Sequence, residues 1–361
     1  MTRTNIHVVI TAGSHTATDF WPFSRKHISK QFLDLLGTGR SLLQITYERA
    51  RGITSDENIC VVTEKDYVAL VKDQLPNLPD KQILAEPVRR GTATGVAYAA
   101  YKIRQHDGDA VMVVSPAEHA IFGELAFVRD VHRAADIVEN DPQKLLILGI
   151  KPTKPETSYR YIQYHYDRPG PAKRVKTLTE QPQADLAKLF LNSGDFVWNT
   201  GIFVWHVRTV LEAYERHLPE VHEVFSEGGS RFFTDQEEAF ISQAYAHCKS
   251  TSLNTHLLER ADNVYMLQGN FDWSDINSWS SLFDLKDKNE DKNIVEANAL
   301  VFESQGSYIK SENDKLVVIH SLNDFLVANS DDVLLICPKN MAERLKSIVN
   351  EAKTQKGEKY V

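Results

Sequence analysis

The chain of 361 residues has only three cysteines, Cys60, Cys248 and Cys337, and no CxxC pair. That excludes a disulfide framework and a Cys-based zinc site. No apolar run approaches the ~18 residues of a membrane span, and the apolar stretch near Met1 is too short for the core of a secretory signal. No GxGxxG and no GxxxxGK[ST] occurs, so neither a dinucleotide fingerprint nor a P-loop is indicated. Positive charge is not in excess: 41 basic side chains stand against 49 acidic ones, a formal charge of −8. A general nucleic-acid binder is therefore not expected. Nor is the chain low in complexity, since 42% hydrophobic and 25% charged residues are ordinary globular values. What remains is a cytoplasmic, globular protein with no membrane partner, long enough for two domains. An acidic balance does not bar an anionic ligand, because backbone N–H groups and a few cations can hold a phosphate.

The first half alternates short Val/Ile-rich runs with amphipathic stretches. IHVVIT (6–11), NICVVT (58–63), AVMVVS (110–115) and KLLILGI (144–150) read as strands buried on both faces. Helical patterns lie between them at 41–53, 64–75, 91–105 and 124–140. This rhythm predicts an α/β fold: an open, mostly parallel, Rossmann-like sheet with helices on both faces. Further on, 201–207 and 262–269 read as strands, and 184–194, 208–225 and 235–248 as helices. The charged stretch 285–293 reads as a linker, separating a domain at 1–284 from a small C-terminal β-rich domain at 294–361 that ends in a helix. In such sheets ligands gather at the carboxyl ends of strands. The segment Ala12-Gly13-Ser14 follows the first strand, where a glycine allows close approach and N–H groups can form an anion nest.

FWPFSRKHISKQF (20–32), EPVRRGTATGVAYAA (86–100), VVSPAEHAI (113–121), GIKPTKPETSYRYI (149–162), TEQP (179–182), SGDFVWNTGIFVW (193–205) and DWSDINSWSSL (272–282) follow one another in this order. These blocks resemble the motifs of sugar-nucleotide pyrophosphorylases, specifically the mannose-1-phosphate guanylyltransferase family. The resemblance covers essentially the whole chain, including a closing β domain that is β-helix-like in the family.

The resemblance implies a nucleotidyltransferase fold and conversion of GTP and α-D-mannose 1-phosphate to GDP-mannose and pyrophosphate, with Mg²⁺. It implies that Arg25 and Lys30 clamp the triphosphate. Ala12, Gly13, Ser14, Glu86, Arg90, Gly91 and Thr92 would bind the nucleotide, Glu86 accepting from the guanine N1 and N2 donors. Tyr161, Glu180, Gln181 and Asn199 would face the sugar phosphate. Glu118 and Asp275 would be the metal carboxylates, two hard oxygen ligands of the kind Mg²⁺ prefers. A homodimer is the implied assembly, with hetero-association with an active paralogue as the second arrangement.

Several positions depart from the family pattern. Asp19 stands nearest the place of a signature arginine, and Gln181 replaces the lysine that holds the sugar phosphate. Glu118 replaces an aspartate, Gly91 an asparagine, and Ser158 and Arg160 two glycines. These substitutions define the second reading, a catalytically impaired homologue that binds a sugar nucleotide and regulates or scaffolds an active partner.

Overall fold

The structure is a computed structural model and describes residues 5–13, 18–167 and 169–361, without the side chains of residues 342 and 343. The chain divides into two compact units: residues 1–13 with 44–273, and residues 14–43 with 274–361.

In chain order the first strands are β1 (Ile6–Thr11), β2 (Ile59–Glu64), β3 (Ile83–Glu86), β4 (Val111–Pro116), β5 (His119–Phe122) and β6 (Leu145–Ile150). They are followed by β7 (Tyr161–Tyr164), β8 (Ala172–Thr179), β9 (Phe196–His206), β10 (Val264–Gln268) and β11 (Asp272–Asp275). All but β5 and β11 form one sheet, ordered β3-β2-β1-β4-β9-β6-β10-β8-β7. The predicted apolar strands β1, β2 and β4 do run parallel to one another, as does β6 to β10. The sheet is nevertheless mixed rather than mostly parallel. β9 lies antiparallel between β4 and β6, and β7 and β8 pair antiparallel at the far edge. β9 is also longer than the predicted 201–207, because its polar Asn199-Thr200 step interrupts the apolar pattern without interrupting the strand.

Gly149 lies at the register shift between β6 and β9, where a methyl group on it would overlap Val197 Cγ2. The single helix expected over 208–225 is two, Val207–His217 and Pro219–Ser226, with Pro219 opening the second. Proline has no N–H for the preceding helix but suits a first turn. The helices Thr92–His106 and Val207–His217 share a core with Val9, Met112, Val114, Ile147 and Trp205.

The second unit carries β12 (Ile294–Glu296), β13 (Ala299–Phe302), β14 (Tyr308–Ser311), β15 (Val317–His320), β16 (Phe325–Asn329) and β17 (Leu334–Pro338). β12, β14 and β16 stack in parallel with β17 antiparallel at the edge, and β13 pairs parallel with β15. Ile309, Ile319 and Val327 fill the space among them. The FWPF segment belongs to this unit. Phe20 and Phe23 meet the Trp279 ring edge-on at 5.3 and 5.7 Å, and Trp279 meets Tyr308 at 5.3 Å. Trp279 Nε1 donates to the Trp21 carbonyl at 3.2 Å. This aromatic knot groups residues 14–43 and 274–284 with the tail, a different partition from the linker expected at 285–293.

Candidate active site

In the first unit β1 delivers Ala12 and Gly13 beside the end of β2. Ala12 N–H donates to the Val62 carbonyl at 2.8 Å, and Thr63 Oγ1 donates to the Ala12 carbonyl at 2.9 Å. Ser14 lies outside the described residues. β3 ends at Glu86, which is 6% exposed. A methyl group on Gly13 would lie 3.7 Å from Glu86 Oε2 and 4.0 Å from Arg89 Nη1, so both side chains lie beside Gly13. Glu86 Oε1 accepts from the Tyr245 hydroxyl at 2.9 Å. Burial pushes the Glu86 carboxyl up to about 7, against the pull of the Tyr245 hydrogen bond and of Arg89. A carboxyl held this way is a characteristic functional-site feature. Arg89 and Tyr245 were not among the sequence candidates. The doubled arginine in EPVRRG is the one hint of Arg89; nothing in the local pattern points to Tyr245, which reaches Glu86 across 159 positions.

The next loop is set by Gly91, with φ +81° and ψ 171°, backbone open to glycine alone. Thr251 N–H donates to the Arg90 carbonyl at 2.9 Å and Ala93 N–H to the Thr251 carbonyl at 3.2 Å. Thr92 Oγ1 accepts from Leu253 N–H at 3.2 Å, and Arg90 Nε donates to the Tyr245 carbonyl at 3.1 Å. Arg90 and Thr92 therefore spend these groups on holding the loop.

The sugar-side candidates share a second neighbourhood. Glu180 Oε2 accepts from Arg160 Nε at 2.9 Å, and Glu180 Oε1 from Thr255 Oγ1 at 3.1 Å. Asn199 Nδ2 donates to Asn254 Oδ1 at 3.2 Å, and Asn199 Oδ1 accepts from Gly201 N–H. The start of the short helix Asn254–Leu258 thus connects Glu180 with Asn199; Thr255 was missed in the sequence. Gln181 Nε2 donates to the Ser158 carbonyl at 2.8 Å. Tyr161 is fully buried and donates to the Glu156 carbonyl at 2.9 Å, so it supports this wall from behind. Beneath lies a chain of rings: Trp198, Tyr159, Trp273 and His119, each edge-on to the next at 4.9–5.3 Å. Glu118, half-buried, immediately precedes β5.

Arg25, Lys30 and Asp275 belong to the second unit. Lys30 is 2% exposed, and its Nζ lies 3.2 Å from Asp19 Oδ2. The acid standing in the signature loop is thereby neutralised within its own unit. Arg25 donates from Nε to the Pro22 carbonyl at 2.9 Å, from Nη1 to Asp332 at 3.1 Å and from Nη2 to Ser330 at 3.1 Å. A second ion-pair contact joins Nη2 to Asp332. The triphosphate role expected of Arg25 meets a guanidinium already committed to the tail. Arg25→Met is expected to lower the stability of the folded chain by about 2 kcal/mol, moderated by the partial exposure of Asp332. Urea unfolding measures this. Unchanged stability with a raised KM for GTP would return Arg25 to the phosphates.

Among the described residues no helix is long and apolar enough to cross a membrane. The profile of the nucleotidyl transferase family matches residues 7–292. A mannose-1-phosphate guanylyltransferase of Klebsiella pneumoniae is 30% identical over 365 residues, covering 98% of this chain and 75% of its own. The alginate biosynthesis protein AlgA of Pseudomonas putida is 31% identical over 349 residues, covering 95% of this chain and 70% of its own. A solved structure described as a mannose-1-phosphate geranyltransferase from Thermus thermophilus superposes with a TM-score of 0.85 at 25% identity, covering 97% of this chain and all of that one.

Proposed function

The chain belongs to the nucleotidyl transferase family, in its mannose-1-phosphate guanylyltransferase branch, and from that premise we propose that it makes GDP-mannose from GTP and α-D-mannose 1-phosphate. A sugar-phosphate oxygen forms a bond to the α-phosphorus of GTP. The bond from that phosphorus to the bridging oxygen breaks, and pyrophosphate leaves. Alignment and charge neutralisation are then the main tasks of the protein.

The observation that carries the reading is Glu86. A buried carboxylate anchored by Tyr245 on one oxygen leaves the other beside Gly13, as an acceptor for the N1 and N2 donors of guanine. Glu180 and Asn199, joined through Asn254 and Thr255, supply polar groups for sugar hydroxyls, and Gln181 adds an amide. Among the described residues no group of three or more His, Cys, Asp or Glu could hold a metal alone. Glu118 in the first unit and Asp275 in the second are each an oxygen donor of the kind Mg²⁺ takes. When bound, Mg²⁺ would neutralise phosphate charge.

The test is pyrophosphate release with Mg²⁺, mannose 1-phosphate and each of GTP, ATP, UTP and dTTP. Turnover with GTP above a Glu118→Ala, Asp275→Ala double variant is expected. Equal rates with ATP, or no turnover above that blank, would reject the reading.

A further inference from the structure

The adjacent Arg89 and Arg90 serve different ends. Arg90 Nε is bound to the Tyr245 carbonyl, whereas Arg89 reaches Gly13. Arg89 Nη1 is buried and has no hydrogen-bond partner among the described residues. Glu64 Oε1 lies 3.8 Å from it, close enough to attract but too far for a hydrogen bond. Glu64, Glu86 and Glu118 all act on this guanidinium electrostatically. A buried N–H without an acceptor is costly, so the unpartnered Nη1 of Arg89 beside Gly13 is suited to an acceptor brought from outside.

We propose that Arg89 binds a phosphate of the nucleotide beside Gly13. The proposal rests on the guanylyl-transfer reading and extends it to a residue that the family motif leaves unspecified. A guanidinium suits the task because its planar fork can meet two phosphate oxygens at once, which an ammonium cannot. Three nearby carboxylates would oppose a polyanion if all were charged. Glu64, whose carboxyl burial raises, lessens that opposition. Arg89 has a second reading as a mere counter-ion to those acids, and the two differ in what they do to ligands of increasing phosphate number.

The experiment is calorimetric titration of the full chain with guanosine, GMP, GDP and GTP, without divalent metal. The wild type is expected to bind more tightly as phosphates are added. Arg89→Gln is expected to weaken GTP about 10- to 100-fold while changing guanosine less than about twofold. Arg89→Lys should recover part of the loss, keeping the charge without the fork. If Arg89→Gln does not fold, the Glu64→Gln, Arg89→Gln pair removes one repelling acid and is titrated in its place. An equal fall for guanosine and GTP, or no fall, overturns the assignment while the wild-type titration still supports the guanylyl reading. A wild type that binds none of the four overturns that reading, and the Arg89 assignment falls with it.

Discussion

Replacing Glu86 by Gln is expected to stabilise the folded chain above pH 7 by up to about 3 kcal/mol and to leave stability unchanged in mild acid. The sign follows from burial. The carboxyl titrates at about 7 in the folded chain against 4.5 when freely solvated. Between those values the folded state holds a proton that the unfolded state has released, so wild-type stability falls as pH rises from 4.5 to 7. Glutamine carries no charge to desolvate, and its carbonyl can still accept from Tyr245, so the slope disappears. The same substitution removes the anionic acceptor proposed for guanine, and GTP affinity is expected to fall about 10- to 100-fold. Wild-type GTP affinity should rise as pH increases through 7, since only the ionised carboxylate accepts from both guanine donors. Unfolding curves and titrations at pH 5, 6, 7 and 8 read both effects. A wild-type profile flat across that range would contradict them.

Gly91→Ala is the second large change, expected to destabilise the chain by about 3 kcal/mol or more. A methyl group there would overlap the Thr251 carbonyl oxygen and lie 2.9 Å from the Thr251 nitrogen. These are main-chain atoms already bound to the Arg90 carbonyl and to Ala93 N–H, so they cannot swing aside as a flexible side chain would. The backbone conformation of Gly91 adds its own strain for any L side chain. Gly91→Asn, which restores the family's residue, should be no better tolerated. Urea midpoints test both. A loss below about 1 kcal/mol would mean that the Thr251 segment gives way easily.

Much of the first unit was legible because its central strands declare themselves. IHVVIT and AVMVVS are apolar almost without interruption, which only burial on both faces demands. ILAE, at the sheet edge, is too short and too mixed to stand out, and β9 hides behind Asn199-Thr200. The antiparallel insertion of β9 was not legible, because pairing direction is set by long-range packing. At the site, Glu86 and Glu180 were found through motif resemblance, whereas Tyr245 and Thr255 act on them from distant sequence. Arg25 shows the opposite limit: a motif arginine whose donors go to the tail, which no local pattern records.

The grouping of residues 14–43 with 274–361 has a consequence for synthesis on the ribosome. The FWPF segment leaves the exit tunnel early, yet Trp279 and Tyr308, against which the knot of Phe20 and Phe23 is built, are made late. At about 5–20 residues per second, those aromatic rings wait roughly 10–50 s for their partners. Through that interval a short hydrophobic segment is exposed to chaperones and to other nascent chains. A truncation that stops before residue 274 makes the wait permanent, so such a fragment is expected to aggregate even though it carries every strand of the nine-stranded sheet.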